Sequence, residues 1–181
     1  MPLSKKGVNS RVLLKRLRDS LAEQGKGQAR LDRIVKLIAS SMNAEVCSIY
    51  LKKDSKTLEL FATEGLKSGA VHVTRLKVGQ GLVGLIAQNA VSINTSNAPK
   101  TKGFKFIPEI GEEIYQSFLG VAIQRLGEIQ GVLIVQNSFP RNYSDDEIYG
   151  LEIVAMVLAE MTELGAFTED NEILIAAQHN L

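Results

Sequence analysis

Two strongly apolar runs, residues 117–126 and 129–137, stand back to back with only Gly127 and Glu128 between them. Parallel neighbours need a crossover of a dozen or more residues, whereas a two-residue connection can only join antiparallel strands. Both runs are apolar at nearly every position, so they are expected in the middle of a sheet that is covered on both faces. That pair fixes the class: the sheet is mostly antiparallel, and helices or loops must cover each side.

The flanking sequence supplies the covering layers. Val46, Ser48 and Tyr50 alternate with Cys47, Ile49 and Leu51, and a polar turn over 52–56 leads into a second alternating stretch over 57–63, which predicts a hairpin. Residues 71–76 read as a third short strand, 79–89 as a glycine-started helix and 91–94 as a fourth strand. Val12, Leu13, Leu14, Leu17 and Leu21 predict an amphipathic helix over 9–24, closed by Gly25-Lys26-Gly27. Leu31, Ile34, Val35, Ile38 and Met42 mark one face of a helix from 28 to about 42. Ser144, followed by Asp145, Asp146 and Glu147, has the form of a capping box and opens a long helix. Its apolar face is Ile148, Leu151, Val154, Ala155, Leu158, Met161 and Leu164, and Gly165 ends it. Ile153, Met156 and Val157 widen that face beyond what one sheet needs, so a partner helix is expected. The architecture expected is α+β, with the terminal helices packed on one sheet face and a long loop and short helix on the other. Its parts are a basic helix and linker over 1–26, the main domain over 27–165 and an acidic tail over 166–181.

Composition narrows the function. A formal charge of +1, from 21 Lys and Arg against 20 Asp and Glu, provides no global field for a nucleic acid or an anionic membrane, so neither is expected as a partner. The charge is unevenly placed: residues 1–20 carry six basic side chains and one acid, and no Lys or Arg follows Arg141 while residues 142–181 hold nine acids. One cysteine cannot form an internal disulfide, which favours a reducing, cytoplasmic setting. The basic opening lacks the apolar core of a secretory signal, and no segment approaches the roughly 20 apolar residues that span a bilayer. A mitochondrial presequence would suit the acid-free stretch 4–18, but acids begin soon afterwards and serine is sparse.

The chemistry-bearing residues point away from catalysis. Gly79-Gln80-Gly81-Leu82-Val83-Gly84 fits GxGxxG, but no acid stands about 20 residues further on and the strands around it are linked by hairpins, so a turn that tucks the helix onto the sheet is expected. Glu109, Glu112 and Glu113 lie in a polar loop with no histidine nearby, and are expected to face water rather than a metal. Cys47, between apolar strand neighbours, reads as a core thiol. His72 is expected in a short strand and His179 in the tail, neither with a catalytic partner. What remains is the loop 95–116, whose Phe104, Phe106, Ile107 and Tyr115 would roof one sheet face over an apolar pocket for a small molecule.

From about residue 31 to 164 the sequence resembles a GAF domain, a regulatory small-molecule-binding fold. The strings that carry the likeness are Ala44-Glu45-Val46-Cys47-Ser48-Ile49-Tyr50-Leu51, Val78 with the glycine turn to Gly84, Gly131-Val132-Leu133-Ile134-Val135-Gln136-Asn137, and Tyr143-Ser144-Asp145-Asp146-Glu147. Within that family it is most similar to the N-terminal sensor domains of the phosphoenolpyruvate-protein phosphotransferases (enzyme I) of the nitrogen phosphotransferase system. The resemblance implies a bacterial, cytoplasmic domain that responds to nitrogen status, with glutamine a ligand in some members, and that controls phosphoryl transfer by catalytic domains. Those domains would need several hundred further residues, so this chain alone is expected to carry no catalytic residue, cofactor or metal. Strand pattern within the family places Ser48, Thr63, Val78, Phe106, Ile107 and Ile134 around the ligand. Arg75 or Lys77 would pair with an amino-acid carboxylate, or else remain solvated. The cyclic-nucleotide signature Asn-Lys-Phe-Asp-Glu is missing, and the single Cys47 does not suit bilin attachment or methionine-sulfoxide reduction. A homodimer through the terminal helices is expected. The alternative is a dimerisation scaffold with a vestigial pocket.

Overall fold

The computed structural model describes residues 9–106 and 115–163. Six strands make one sheet: β1 (Val46–Lys52), β2 (Thr57–Glu64), β3 (Arg75–Lys77), β4 (Ile93–Thr95), β5 (Ser117–Arg125) and β6 (Glu128–Asn137), in the order β3-β2-β1-β6-β5-β4. Every neighbouring pair is antiparallel. The helices are α1 (Ser10–Ala22), α2 (Gly27–Met42), α3 (Gly81–Asn89) and α4 (Asp145–Glu163). The α+β architecture with an antiparallel centre is therefore as the sequence led us to expect.

Two cores lie on opposite faces of the sheet. On one, Cys47, Ile49, Leu51, Leu119, Leu133 and Val135 meet the buried stripes of α1, α2 and α4. On the other, Tyr50, Leu60, Val132 and Ile134 meet Leu82 and Ile86 of α3 and Ala98 of the following loop. Alternate residues of β1 and β6 thus enter different cores, which is why these strands read as unbroken apolar runs. The five α2 side chains Leu31, Ile34, Val35, Ile38 and Met42 are no more than 1% exposed. Together they contribute on the order of 10 kcal/mol before chain entropy is set against them.

α1 starts beside α4. The Ser10 N–H and hydroxyl both donate to the Asp146 carboxylate, at 3.0 and 2.9 Å, and these bonds hold that carboxyl below the usual carboxylate range. Arg16 of α1 donates to Ser41 Oγ near the end of α2, and Arg30 near the start of α2 donates to Leu21 O near the end of α1. α2 therefore runs against α1, and Leu13 and Leu17 of α1 are buried in the helix-side core. The expected capping box forms: the Glu147 N–H donates to Ser144 Oγ at 3.3 Å, and Glu147 Oε2 accepts from the Ser144 N–H at 2.8 Å.

Three local expectations need correction. The third strand is only Arg75–Lys77, so of the expected strand 71–76 just residues 75 and 76 are in the sheet; Val71 to Val73 form a turn in which His72 adopts φ 62° and donates its N–H to Leu60 O. The ring fixes that turn, packing edge-on to Phe61 with centroids 4.8 Å apart and bonding Gln28 Oε1 at 2.7 Å. The fourth strand is Ile93–Thr95, because Ala90 in the left-handed region returns its N–H to Ile86 O and closes α3. The central hairpin turns at Leu126-Gly127, since Arg125 and Glu128 are still paired. Both turn residues have positive φ (51° and 78°), as a type I′ turn requires. Leucine there costs about 1–2 kcal/mol relative to glycine, and its side chain is 87% exposed.

Glu59 ties β2 to its neighbours. It is 5% exposed, and its carboxylate faces Lys53 at 3.2 Å, Arg75 at 3.5 Å and His72 Nδ1 at 3.6 Å. Burial acts to raise its pKa, but the bonds and charges of Lys53 and His72 prevail and hold the carboxyl below its ordinary range. A folded pKa below the unfolded value means that the stabilisation is complete above the unfolded range, near 4.3, and fades as pH falls through the folded value. Glu59→Gln is thus expected to lose about 2 kcal/mol at pH 7. Urea titrations of the two proteins should give unfolding free energies that differ at neutral pH and converge as the pH falls below the unfolded carboxylate value and through the lower folded one.

Candidate ligand-binding site

The face turned away from α1, α2 and α4 is apolar over most of its area and polar at one end. A β-bulge puts the polar residues there. Ile49 pairs with Ala62 and Tyr50 with Leu60, so Phe61 is an extra residue on β2. Strict alternation would give Thr63 the same side as Glu59 and Phe61, facing the helices. The extra residue reverses the parity, so Ala62 enters the helix-side core and Thr63 turns to the α3 side. There its Oγ1 lies 2.8 Å from Oγ of the fully buried Ser48. Ser48 is paired with Ile134 on its other side, and Ile134 with Gly120. Gln136, 3% exposed, lies two residues along β6 from Ile134 on the same face.

α3 closes the other half of this face. A Cβ on Gly120 would meet Ile86 Cδ1 at 2.4 Å, so the glycine leaves room for the helix to seat on β5. The glycine turn ahead of α3 has a packing role of the same kind. A Cβ on Gly84 would stand 2.4 Å from Lys77 O, while Gly79 and Gly81 supply positive φ. The loop after β4 covers the face with Ala98, which is fully buried and donates its N–H to Gln116 O, and with the partly buried Phe104.

Of the residues expected around a ligand, Ser48, Thr63 and Ile134 stand side by side. Val78 lies next to the other end of β2, its N–H on Lys56 O, about 20 Å along the strand from Thr63. Phe106 is 45% exposed. Ile107 is outside the described residues, as are Glu109, Glu112, Glu113, Gly165 and His179. Arg75 reaches Glu59 on the helix side of the sheet, and Lys77 is exposed. Burial, with a smaller contribution from Glu64, pushes the Cys47 thiol far above its ordinary pKa, which is the state of an inert core thiol. Among the described residues no group of three or more His, Cys, Asp and Glu is placed to hold a metal ion, and no helix is long and apolar enough to cross a membrane.

A buried polar junction at the end of β6 was not read from the sequence. Arg141 donates to Met42 O at 2.8 Å, Asn43 O at 3.1 Å and Glu147 Oε1 at 2.5 Å, with its guanidinium 4.3 Å from the centre of the Tyr143 ring. The Tyr143 hydroxyl donates to Asn137 Oδ1 at 2.7 Å, and Asn137 Nδ2 donates to Asn43 O at 3.0 Å. Burial pushes the Tyr143 pKa up to about 12 against the opposing pull of Arg141. The junction ties the C-terminus of α2 and the first turn of α4 to the sheet. Its signal was the spacing of Arg141, the last basic residue, six positions before a capping-box glutamate.

The GAF domain family model matches residues 27–160. A protein of the phosphoenolpyruvate-dependent phosphotransferase system of Escherichia coli K12 is 34% identical over 161 residues, 86% of this chain. The chain spans about a fifth of that relative's length (21%). The GAF domain of a phosphoenolpyruvate-protein phosphotransferase from Coxiella burnetii superposes with a TM-score of 0.78 at 29% identity, covering 96% of this chain and 99% of that one. The corresponding Acinetobacter domain gives 0.76 at 29% identity, over 91% and 96%. The chain therefore belongs to the GAF domain family and is homologous to the GAF domains of phosphoenolpyruvate-protein phosphotransferases.

Proposed function

We propose that this chain is the ligand-sensing module of a phosphoenolpyruvate-protein phosphotransferase, binding an amino-acid-sized molecule on the α3 side of its sheet and reporting nitrogen status, with glutamine the leading ligand. The observation that carries the reading is the hydroxyl pair of buried Ser48 and half-buried Thr63, set by a bulge into a face lined mostly with apolar side chains. A few polar groups in an apolar surround give a small polar ligand its orientation. Ser48, Thr63 and Ile134 would form the floor of the site. Regulation would follow from a ligand that prefers one of two packings of α1 and α4. Those helices would also form the homodimer, because Tyr149, Ile153 and Met156 present an exposed apolar stripe along α4, at 63, 45 and 64% exposure, and Val12 of α1 is 51% exposed.

The scaffold reading has one observation in its favour: Ser48 and Thr63 satisfy each other without a guest. Calorimetry against glutamine, 2-oxoglutarate and cyclic nucleotides separates the two. Sensing predicts heat with glutamine and an affinity at least about tenfold weaker in the Ser48→Ala, Thr63→Val double variant, as loss of a part-buried hydrogen-bonding pair implies. Silence toward every compound supports the scaffold.

A further inference from the structure

The exposed stripe of α4, Tyr149, Ile153 and Met156, has flanks of opposite charge. One flank is set by α1. Ser10 is bonded to Asp146, and a Cβ on Gly150 would stand 2.9 Å from Ser10 Cβ and 3.6 Å from Leu13 Cδ2, so the side of α1 that carries Ser10 and Leu13 faces α4. Arg16, on another side of α1, reaches Ser41 of α2. At about 100° per residue, Arg11, Lys15 and Arg18 fall on the face of α1 turned away from both helices, and all three are exposed. Arg18 is occupied by its neighbour Asp19, which leaves Arg11 and Lys15 as the basic row. The other flank is set by the sheet edge. Glu152 accepts from Ser92 Oγ at 2.8 Å, just ahead of β4, and Asp145 stands two turns earlier on the same side of α4. No Lys or Arg occurs along α4.

The two rows stand at similar heights. α2 runs against α1, and Arg141 ties its end to the first turn of α4, so α1 and α4 start together and run in the same general direction. Lys15, five residues past Ser10, is therefore about level with Glu152, six residues past Asp146. Two copies can bring their stripes together about a two-fold axis in two ways. With the axis along α4 the helices are parallel, and the basic row of each copy lies on the acidic row of the other. With the axis across α4 the helices are antiparallel, and each row meets its own kind, which like-charge repulsion disfavours. Glu160, the acid next along the stripe, is held by Arg125 at 3.0 Å, so in the parallel arrangement it meets its counterpart already paired.

We propose that a second copy of this chain covers the stripe with the two α4 helices parallel, Arg11 and Lys15 of one copy lying beside Asp145 and Glu152 of the other. The proposal rests on the dimer reading above and adds its orientation, which places both Glu163 residues at the same pole of the dimer. Single cysteines at the two ends of the stripe test it. Cys47 is fully buried and does not compete. Positions 149 and 156 are about 10 Å apart along the helix. Under mild oxidation Tyr149→Cys and Met156→Cys should each form a disulfide-linked dimer on its own, because an axis along α4 brings every stripe position to its counterpart. In low salt, Lys15→Glu should raise the dimer dissociation constant at least about threefold, read by sedimentation equilibrium. Antiparallel packing predicts the reverse: Ile153→Cys, at the centre, would cross-link while neither end did, and Lys15→Glu would tighten the dimer. Either result overturns the orientation and leaves the dimer reading standing. A dissociation constant unchanged by Lys15→Glu overturns the pairing of the rows, and a parent chain that sediments as a monomer overturns orientation and dimer together.

Discussion

Arg141→Met is expected to destabilise the folded chain by about 3–5 kcal/mol, the range for removing one partner of a buried ion pair. Methionine replaces much of the side-chain volume, so the effect is electrostatic. It leaves the Glu147 carboxylate, 6% exposed, without its counter-charge. It also removes the donor to Met42 O and Asn43 O, carbonyls at the C-terminus of α2 that have no helical partner. Urea unfolding should show the midpoint falling with little change in slope. Adding Glu147→Gln should recover part of the loss, because an amide keeps the bond to the Ser144 N–H and carries no charge to bury. A single variant within 1 kcal/mol of the parent would mean that water replaces the guanidinium, and the junction would not be a stability determinant.

The paired substitution Ile153→Glu, Met156→Glu should have the largest effect on assembly. In the proposed dimer both side chains lie at the interface, where charge would be desolvated against charge of the same sign on the other copy. The dissociation constant should rise by at least about 100-fold, equivalent to about 2.7 kcal/mol. In the isolated chain both positions are exposed, so the stability of the monomer should change by no more than about 0.5 kcal/mol. Sedimentation equilibrium and a thermal scan of the same samples keep these two effects apart. A parent chain that sediments as a monomer at high micromolar concentration would rule out the dimer.

Features governed by local chemistry were legible in the sequence. A two-residue link between apolar runs admits only one strand pairing, a Ser-x-x-Glu box satisfies its own amides, and an α2 stripe repeating at helical spacing has one face to bury. Features governed by distant neighbours were not. The strand expected over 71–76 has suitable residues, but Phe61 and Gln28 draw His72 into a turn. The extra residue on β2 is defined by its pairing with β1, and nothing in Leu60-Phe61-Ala62 announces it. Strand alternation alone would therefore have turned Thr63 away from Ser48, and the likeness to a known family, rather than periodicity, put the two together. Leu-Gly is also a weak turn signal beside Asn-Gly, which is why the reversal was expected one residue later. Arg141 stands in the loop between β6 and α4, and only the fold shows that three carbonyl or carboxylate oxygens converge on it.

Because Ser10 is bonded to Asp146 at the start of α4, and Glu163 is held at the opposite end beside Gln130, the peptide is connected in series through this domain. Polypeptide before Ser10 and after Glu163 attaches to poles about 28 Å apart, the length of 19 helical residues. A tug or twist applied at one pole must travel through the body of the fold to reach the other, as load passes through a link in a chain and not around a side branch.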